Sequence, residues 1–252
     1  VVTMSLSKDL VLEVRGVSKS YTSGGKVFEV LKDINFVVGR EYITILGPSG
    51  CGKSTLLKII AGVEKPDKGE VVFNIGGKVR IGFVFQFPTL LPWMTVLGNV
   101  TLPLIAAGVP KNDAVERARR VLKIVGLEEL DDFYPSELSG GMKQRVNIAR
   151  ALAVEPDILL MDEPFSNLDP LTAENLRSEV LDIWSSSILP IKSVIMVTHN
   201  VEEAVLMSDK IIILSPRPAR IVKVVDVNIP RPRTRKMTEV QELVDRVYEY
   251  VS

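Results

Sequence analysis

Only one cysteine and one histidine occur in the 252 residues, and 31 acidic side chains cancel the 31 basic ones. With Cys51 alone no internal disulfide can form, which excludes a disulfide-built scaffold and fits a reducing compartment. The zero formal net charge lacks the basic excess usual in nucleic-acid binders, so no nucleic-acid partner is expected. No uninterrupted apolar run approaches the roughly 18–20 residues that cross a bilayer, so no membrane span is expected. No basic segment followed by an apolar one opens the chain, so no secretory leader is expected either. Internal repeats are also missing. What remains is an ordinary globular composition, 46% hydrophobic and 25% charged, long enough for one large domain or two lobes.

Hydrophobic periodicity predicts an α/β chain. Residues 10–21 alternate loosely and read as a strand, and 27–38 as another strand or a pair, with Gly24-Gly25 turning between them. Residues 42–46 form a short apolar run that ends in glycines, as a buried central strand does. Residues 54–61 read as a helix with Leu56, Leu57, Ile59 and Ile60 inward, stopped by Gly62. Segments 70–73 and 81–86 are strand-like. From Pro88 the texture changes: Pro88, Pro92 and Pro103 break an apolar stretch. An amphipathic helix over 111–125 then puts Val115, Ala118, Val121, Leu122 and Val125 on one face. A further helix covers 140–153. Short β-rich runs at 158–161, 193–198 and 210–214 alternate with helices at 171–184 and 201–207, which predicts a parallel sheet. Residues 220–227 read as one more strand. The expected organisation is a single domain over 8–252, with core segments 8–87 and 153–229, a helical insertion at 88–152 and a tail at 230–252. The tail begins basic and ends helical. Its basic stretch, 231–236, reads as a solvated tail or as a contact for anionic lipid headgroups.

Gly47-Pro-Ser49-Gly50-Cys51-Gly52-Lys53-Ser54-Thr55 has the spacing of a phosphate-binding loop, G-x-x-x-x-G-K-[ST]. Glycines allow successive N–H groups to curl around phosphate oxygens, and the helix that follows adds its positive end. Lys53 is placed for the β- and γ-phosphates, and the Ser54 hydroxyl for Mg2+. Cys51, near a helix N-terminus, is expected to have a lowered thiol pKa. It is either a small space-filler or a thiol whose alkylation crowds the phosphate site.

A second apolar strand ends in Asp162-Glu163. In a parallel sheet ligands gather at the carboxyl ends of strands, so both acids are expected on the phosphate-loop edge. Asp162 would help hold Mg2+ and Glu163 would orient the attacking water. His199, ending the strand 193–198, is expected on the same edge as a γ-phosphate contact.

Leu138-Ser139-Gly140-Gly141-Met142-Lys143-Gln144-Arg145 resembles the signature motif of ABC ATPases, although Ser139 before a helix would also serve as a plain N-cap. The other motifs stand in that family's order across nearly the whole chain. Tyr21 resembles the aromatic that stacks on adenine, Gln86 the Q-loop glutamine, Ser166-Asn167-Leu168-Asp169 the D-loop and His199 the switch histidine. Met142 and Asn167 depart from the usual Gln and Ala. The resemblance implies a P-loop NTPase (RecA-like) core with an antiparallel β subdomain and an inserted helical subdomain. It implies ATP and Mg2+ as cofactors, with Ser54, Gln86 and Asp162 about the metal and Glu163, His199 and Lys53 acting in hydrolysis. It also implies an ATP-dependent homodimer, with Ser139, Gly140, Gly141 and Asp169 facing the partner's nucleotide, beneath a membrane permease at the cytoplasmic face.

The apolar stretch from Phe87 to Thr95, with Leu90, Leu91 and Trp93, either packs inside the helical lobe or forms the permease contact. Leu90-Leu91-Pro92-Trp93, the Ser-Gly-Gly-Met signature and the proline-arginine segments at 214–220 and 229–233 resemble the nitrate/sulfonate/taurine importer branch. That branch implies uptake of a small anion with an extracytoplasmic binding protein. The chain ends too soon after its core for the extra regulatory domain of sugar-importer ATPases. The rival class is a soluble ABC ATPase acting on nucleic acid or ribosomes. It is disfavoured by the lack of a long coiled coil and of a second cassette. A non-hydrolysing sensor is disfavoured by Glu163 and His199.

Overall fold

The computed structural model describes residues 10–251. In chain order the first elements are β1 (Leu12–Ser23), β2 (Lys26–Val38), β3 (Tyr42–Leu46), α1 (Lys53–Ile60), β4 (Lys68–Phe73) and β5 (Ile81–Val84). Next come α2 (Val96–Ala106), α3 (Lys111–Ile124), α4 (Gly140–Ala153), β6 (Ile158–Asp162) and α5 (Pro170–Ser185). The last are β7 (Ser193–Thr198), α6 (Val201–Met207), β8 (Lys210–Leu214), β9 (Ile221–Asp226) and α7 (Thr238–Val251). These fall into two compact units: one ends at Val79 and resumes at Lys192, and the other runs from Arg80 to Ile191.

In the first unit β2, β1 and β4 form an antiparallel sheet. Ser23 pairs with Lys26, so the hairpin loop is Gly24-Gly25 alone, and their φ of 57° and 75° give the doubly left-handed turn that matches strand twist. The five residues of β3 are all buried because parallel strands β7 and β8 flank it on both sides. The run of parallel strands expected from the sequence stops at β9, which is antiparallel to β8. Residues 215–220 are too few for a crossover, so the chain can only return as a hairpin.

The basic stretch after β9 is not a solvated tail. Arg231 pairs with Asp209 at 2.5 Å and donates to Met207 O at 2.5 Å. Arg233 donates to Val205 O at 2.8 Å, Ser208 O at 2.5 Å, Ile229 O at 2.7 Å and Val227 O at 3.2 Å. Two of these are carbonyls at the end of α6, which have no partner within the helix. Burial pushes the Arg233 pKa down to about 10, with Arg231 adding to the shift. The two arginines thereby strap α7 down, and its Val240, Leu243 and Val247 join Val201, Ala204 and Val205 of α6 in one core. Arg233→Met is expected to cost about 2 kcal/mol and lower Tm by about 4–8 °C in a thermal scan. An unchanged Tm would return this stretch to solvent.

In the second unit β5 and β6 pair in parallel, and α4 packs on α2 and α3. Gly82 of β5 is required there, since a Cβ would sit 2.5 Å from Ala151 O of α4. The sequence reading left α2 without a helix because prolines punctuate it, yet Pro103 lies inside it. Thr95 caps α2, accepting from Gly98 N at 3.1 Å. Buried Asn99 accepts from Leu91 N at 2.7 Å and donates to Leu91 O, Met94 O and Thr95 O, pinning the proline-rich segment. On α3 the buried face is Ala114, Ala118, Val121 and Leu122, with Val115 only half-buried at its margin.

Candidate functional site

The phosphate loop leaves β3 and enters α1 one residue earlier than periodicity suggested, at Lys53. Gly52 has φ 126°, and a Cβ there would stand 2.8 Å from Val30 Cγ1 and 2.9 Å from Leu31 Cδ2. Gly50 has φ 72°, and a Cβ on Gly47 would meet Cys51 Sγ and Leu214 O at 3.1 Å. At Gly47 and Gly52 the loop has no room for a side chain, so the backbone N–H groups are free to form its lining. Lys53 is 4% exposed and bends back over the loop, donating to Gly47 O at 2.9 Å and Pro48 O at 3.1 Å.

Cys51 corrects the expectation of a lowered thiol pKa: it is 2% exposed, and burial pushes the thiol up against the opposing pull of Lys53. It fills space beneath the loop. Arg217, in the β8–β9 turn, donates from Nε to Gly50 O and so adds a cation to the loop that the motif does not contain. Its only sequence signal is an arginine set between Pro216 and Pro218.

In the same unit β3 and β7 run parallel with Leu46 paired to Thr198, so Gly47 and His199 leave the sheet side by side at its carboxyl edge. Tyr21 is 40% exposed, and its hydroxyl donates at 2.5 Å to Oε1 of Glu64, whose N–H returns to Lys58 O of α1. Strand β1 thus brings an aromatic ring to the helix that follows the phosphate loop. Ser49 is exposed on that loop, and Ser54 takes the second position of α1.

In the second unit β6 is wholly buried and delivers Asp162, 8% exposed, at its carboxyl end. Glu163 follows with φ 43°, a left-handed conformation that a non-glycine residue adopts at a cost of about 1–3 kcal/mol. Two bonds hold it there: Ser166 donates to the Glu163 carbonyl from N at 3.3 Å and from Oγ at 3.0 Å. Gln144 of α4 donates to the next carbonyl, Pro164 O, at 2.7 Å. Gln86 Nε2 donates to Ser166 Oγ at 3.4 Å, and Asn167 Nδ2 returns a bond to Gln86 O at 3.4 Å. Asn167, the departure noted in the D-loop, therefore ties that loop to Gln86.

Asp169 caps α5, accepting from Thr172 N at 3.0 Å, and the Thr172 side chain first, then this backbone N–H, holds its carboxyl below the usual range. Ser139 caps α4, accepting from Met142 N at 3.3 Å. Ser139 and Gly140 are exposed at this helix start, while a Cβ on Gly141 would lie 2.6 Å from Thr172 Cγ2.

One element went unread in the sequence. Gln144, Asn147 and Arg150 recur every third residue along α4. They reach Pro164 O, Phe85 O at 2.8 Å, and both Thr89 O at 2.6 Å and Thr89 Oγ1 at 2.9 Å. This polar ladder anchors the segments on either side of Gln86 and the turn after Glu163. Beyond it Phe87 and Trp93 are 61% and 73% exposed, whereas Leu90 and Leu91 are half-buried.

The donors suit a triphosphate carrying its own ion. Among the described residues no cluster of three or more His, Cys, Asp and Glu could hold a metal by itself. Mg2+ binds through one or two carboxylates together with waters and substrate phosphates, and Asp162 at the end of β6 and the Ser54 hydroxyl in α1 are each, taken by itself, a donor of that kind.

Comparison with known proteins agrees with the motifs. The ABC transporter family model matches residues 31–166. An uncharacterised ABC transporter ATP-binding protein of Methanocaldococcus jannaschii is 46% identical over 92% of this chain and 87% of its own length. The aliphatic sulfonates import ATP-binding protein of Bacillus cereus is 38% identical over 95% of both chains. The taurine import ATP-binding protein of Pseudomonas aeruginosa is 42% identical over 87% of this chain and 84% of its own. Among solved structures, a dimeric ATP-binding cassette in a post-hydrolysis state with ADP and phosphate superposes with a TM-score of 0.75. It is 34% identical and covers 87% of this chain and 100% of its own.

Proposed function

The chain belongs to the ABC transporter family as an ATP-hydrolysing, ATP-binding subunit, and on that premise we propose that two copies, closing over Mg-ATP, drive uptake of a small sulfonate-like anion through a membrane permease. The observation that carries the dimer is the exposed start of α4. Ser139 and Gly140 present a helix N-terminus suited to an anion, in a chain that already has a phosphate loop at α1. One triphosphate uses both when two chains face head to tail.

In this reading Tyr21 stacks on the base, and Gly47, Ser49, Gly50, Cys51, Gly52, Lys53, Ser54 and Thr55 wrap the phosphates. Ser54, Asp162 and Gln86 would hold Mg2+, which would supply charge neutralisation on the phosphates. Glu163 accepts a hydrogen bond from the attacking water and turns its lone pair toward phosphorus. His199 donates to the γ-phosphate. Asp169 fixes the loop that faces the partner chain. Hydrolysis removes the group that joins the two chains, and they part.

Residues 88–152 form the lobe that meets the permease, with exposed Phe87 at its start and exposed Trp93 within it as the apolar contact. No helix among the described residues is long and apolar enough to cross a membrane. The proposed attachment, through the permease at the cytoplasmic face, follows from the family reading. The names of the relatives support sulfonate or taurine-like substrates. Nitrate as an alternative substrate and an external binding protein as a further partner rest on the motif resemblance alone. The test is to capture Glu163→Gln with Mg-ATP from detergent-solubilised membranes of its own cells. A multi-spanning protein encoded with an anion-binding protein supports the reading. Ribosomes or DNA-bound proteins without a membrane partner would overturn it and favour a soluble ATPase.

A further inference from the structure

Gly62 ends α1 with φ 71°, and the N–H groups of Val63 and Glu64 both return to Lys58 O, at 3.0 Å and 3.2 Å. This fixes the backbone of the turn Glu64-Lys65-Pro66-Asp67 against the helix that follows the phosphate loop. The turn is joined just as closely to β1. Asp67 N donates to Ser18 O at 2.9 Å, and Asp67 Oδ2 accepts from Ser20 N at 2.6 Å. Lys19 Nζ donates to Lys65 O at 2.9 Å and to Asp67 Oδ1 at 3.2 Å, and lies 3.6 Å from Glu64 Oε1. Lys19 and Glu64 are well covered for charged side chains, at 15% and 22% exposure.

Tyr21 stands at the centre of these contacts. An exposed tyrosine ordinarily turns freely about two torsions. Here the hydroxyl donates to Glu64 Oε1 at 2.5 Å. Burial first, then Glu64, raises the phenol pKa, so it stays a donor. Lys19 Nζ lies 5.5 Å from the ring centroid over one face, which leaves the opposite face for a planar ligand.

We propose that Glu64, backed by Lys19, is a positioning residue that presets the Tyr21 ring for a purine base, so that the site prefers a nucleotide over bare polyphosphate. This rests on the reading that Tyr21 meets the base. Holding the ring in advance removes the ordering cost at binding, and that gain exists only for a ligand that has a base. Glu64 touches neither phosphate nor water, so its effect falls on affinity and not on the chemical step.

The experiment measures, by calorimetry, the binding of a non-hydrolysable Mg-ATP analogue and of Mg-tripolyphosphate to the full chain. The variants are Glu64→Ala, Glu64→Gln, Tyr21→Ala and Glu64→Ala with Tyr21→Ala; KM and kcat are taken for the single Glu64 variants. Glu64→Ala is expected to weaken the analogue about three- to tenfold, with tripolyphosphate unchanged and the loss appearing in KM. Glu64→Gln, which still accepts from the phenol, recovers most of it. In the Tyr21→Ala background Glu64→Ala adds nothing. Equal losses for both ligands, or an undiminished effect without Tyr21, would overturn the positioning role. If Tyr21→Ala weakens the analogue while Glu64→Ala does not, only the positioning role fails. If Tyr21→Ala changes nothing, the stacking role fails and the positioning role with it.

Discussion

Lys53→Ala is expected to weaken Mg-ATP binding about a hundredfold or more, read by titration with a fluorescent nucleotide. The size of the effect follows from where the ammonium sits. It is 4% exposed and held over the loop by the Gly47 and Pro48 carbonyls, so it is already desolvated and aimed where phosphate oxygens would lie. A charge prepared in this way meets a polyanion without reorganising, and charge-assisted bonds are about twice as strong as neutral ones. Lys53→Arg is not expected to rescue binding. The guanidinium is a broad planar fork, and the loop is closed to added bulk by Gly47 and Gly52. Unchanged affinity in Lys53→Ala would remove the loop from nucleotide binding altogether.

Glu163→Gln is expected to slow hydrolysis by about 10²–10⁴-fold while leaving ATP affinity near that of the parent chain. The amide preserves size and shape. The left-handed φ of 43° is supported by Ser166 on the Glu163 carbonyl and by Gln144 on Pro164 O, bonds that the substitution leaves in place. What is lost is the carboxylate that orients water. A single-turnover phosphate-release assay reads the effect, and parental rates in this variant would assign the water to another group.

The parts legible in the sequence are those with local causes. Strand β3, its glycine loop and α1 follow from an apolar run, glycines that need positive φ, and a 3.6-residue period, all within 20 residues of chain. Strand β6 with its two terminal acids, and β7 ending beside His199, follow in the same way. What was missed depends on contacts far apart in sequence. Helix α2 looked broken because the pinning role of Asn99 is invisible in a propensity reading. Arg231 and Arg233 looked like a solvated tail because their acceptors lie 22 to 28 residues earlier. A place near a helix start argues for a lowered Cys51 thiol pKa, whereas burial, which only the fold reveals, pushes it up. The α4 ladder spans 20, 62 and 61 residues from side chain to acceptor, and only the three-residue rhythm of polar groups on a largely buried helix hints at it.

In the proposed head-to-tail dimer the exposed Ser139-Gly140 start of α4 takes its anion from a second copy. The decisive measurement is the molar mass of Glu163→Gln by light scattering on a sizing column, with and without Mg-ATP. The account predicts that Mg-ATP doubles the mass and that the adduct persists because hydrolysis is slow. A mass that stays at one chain with nucleotide bound would contradict the shared site.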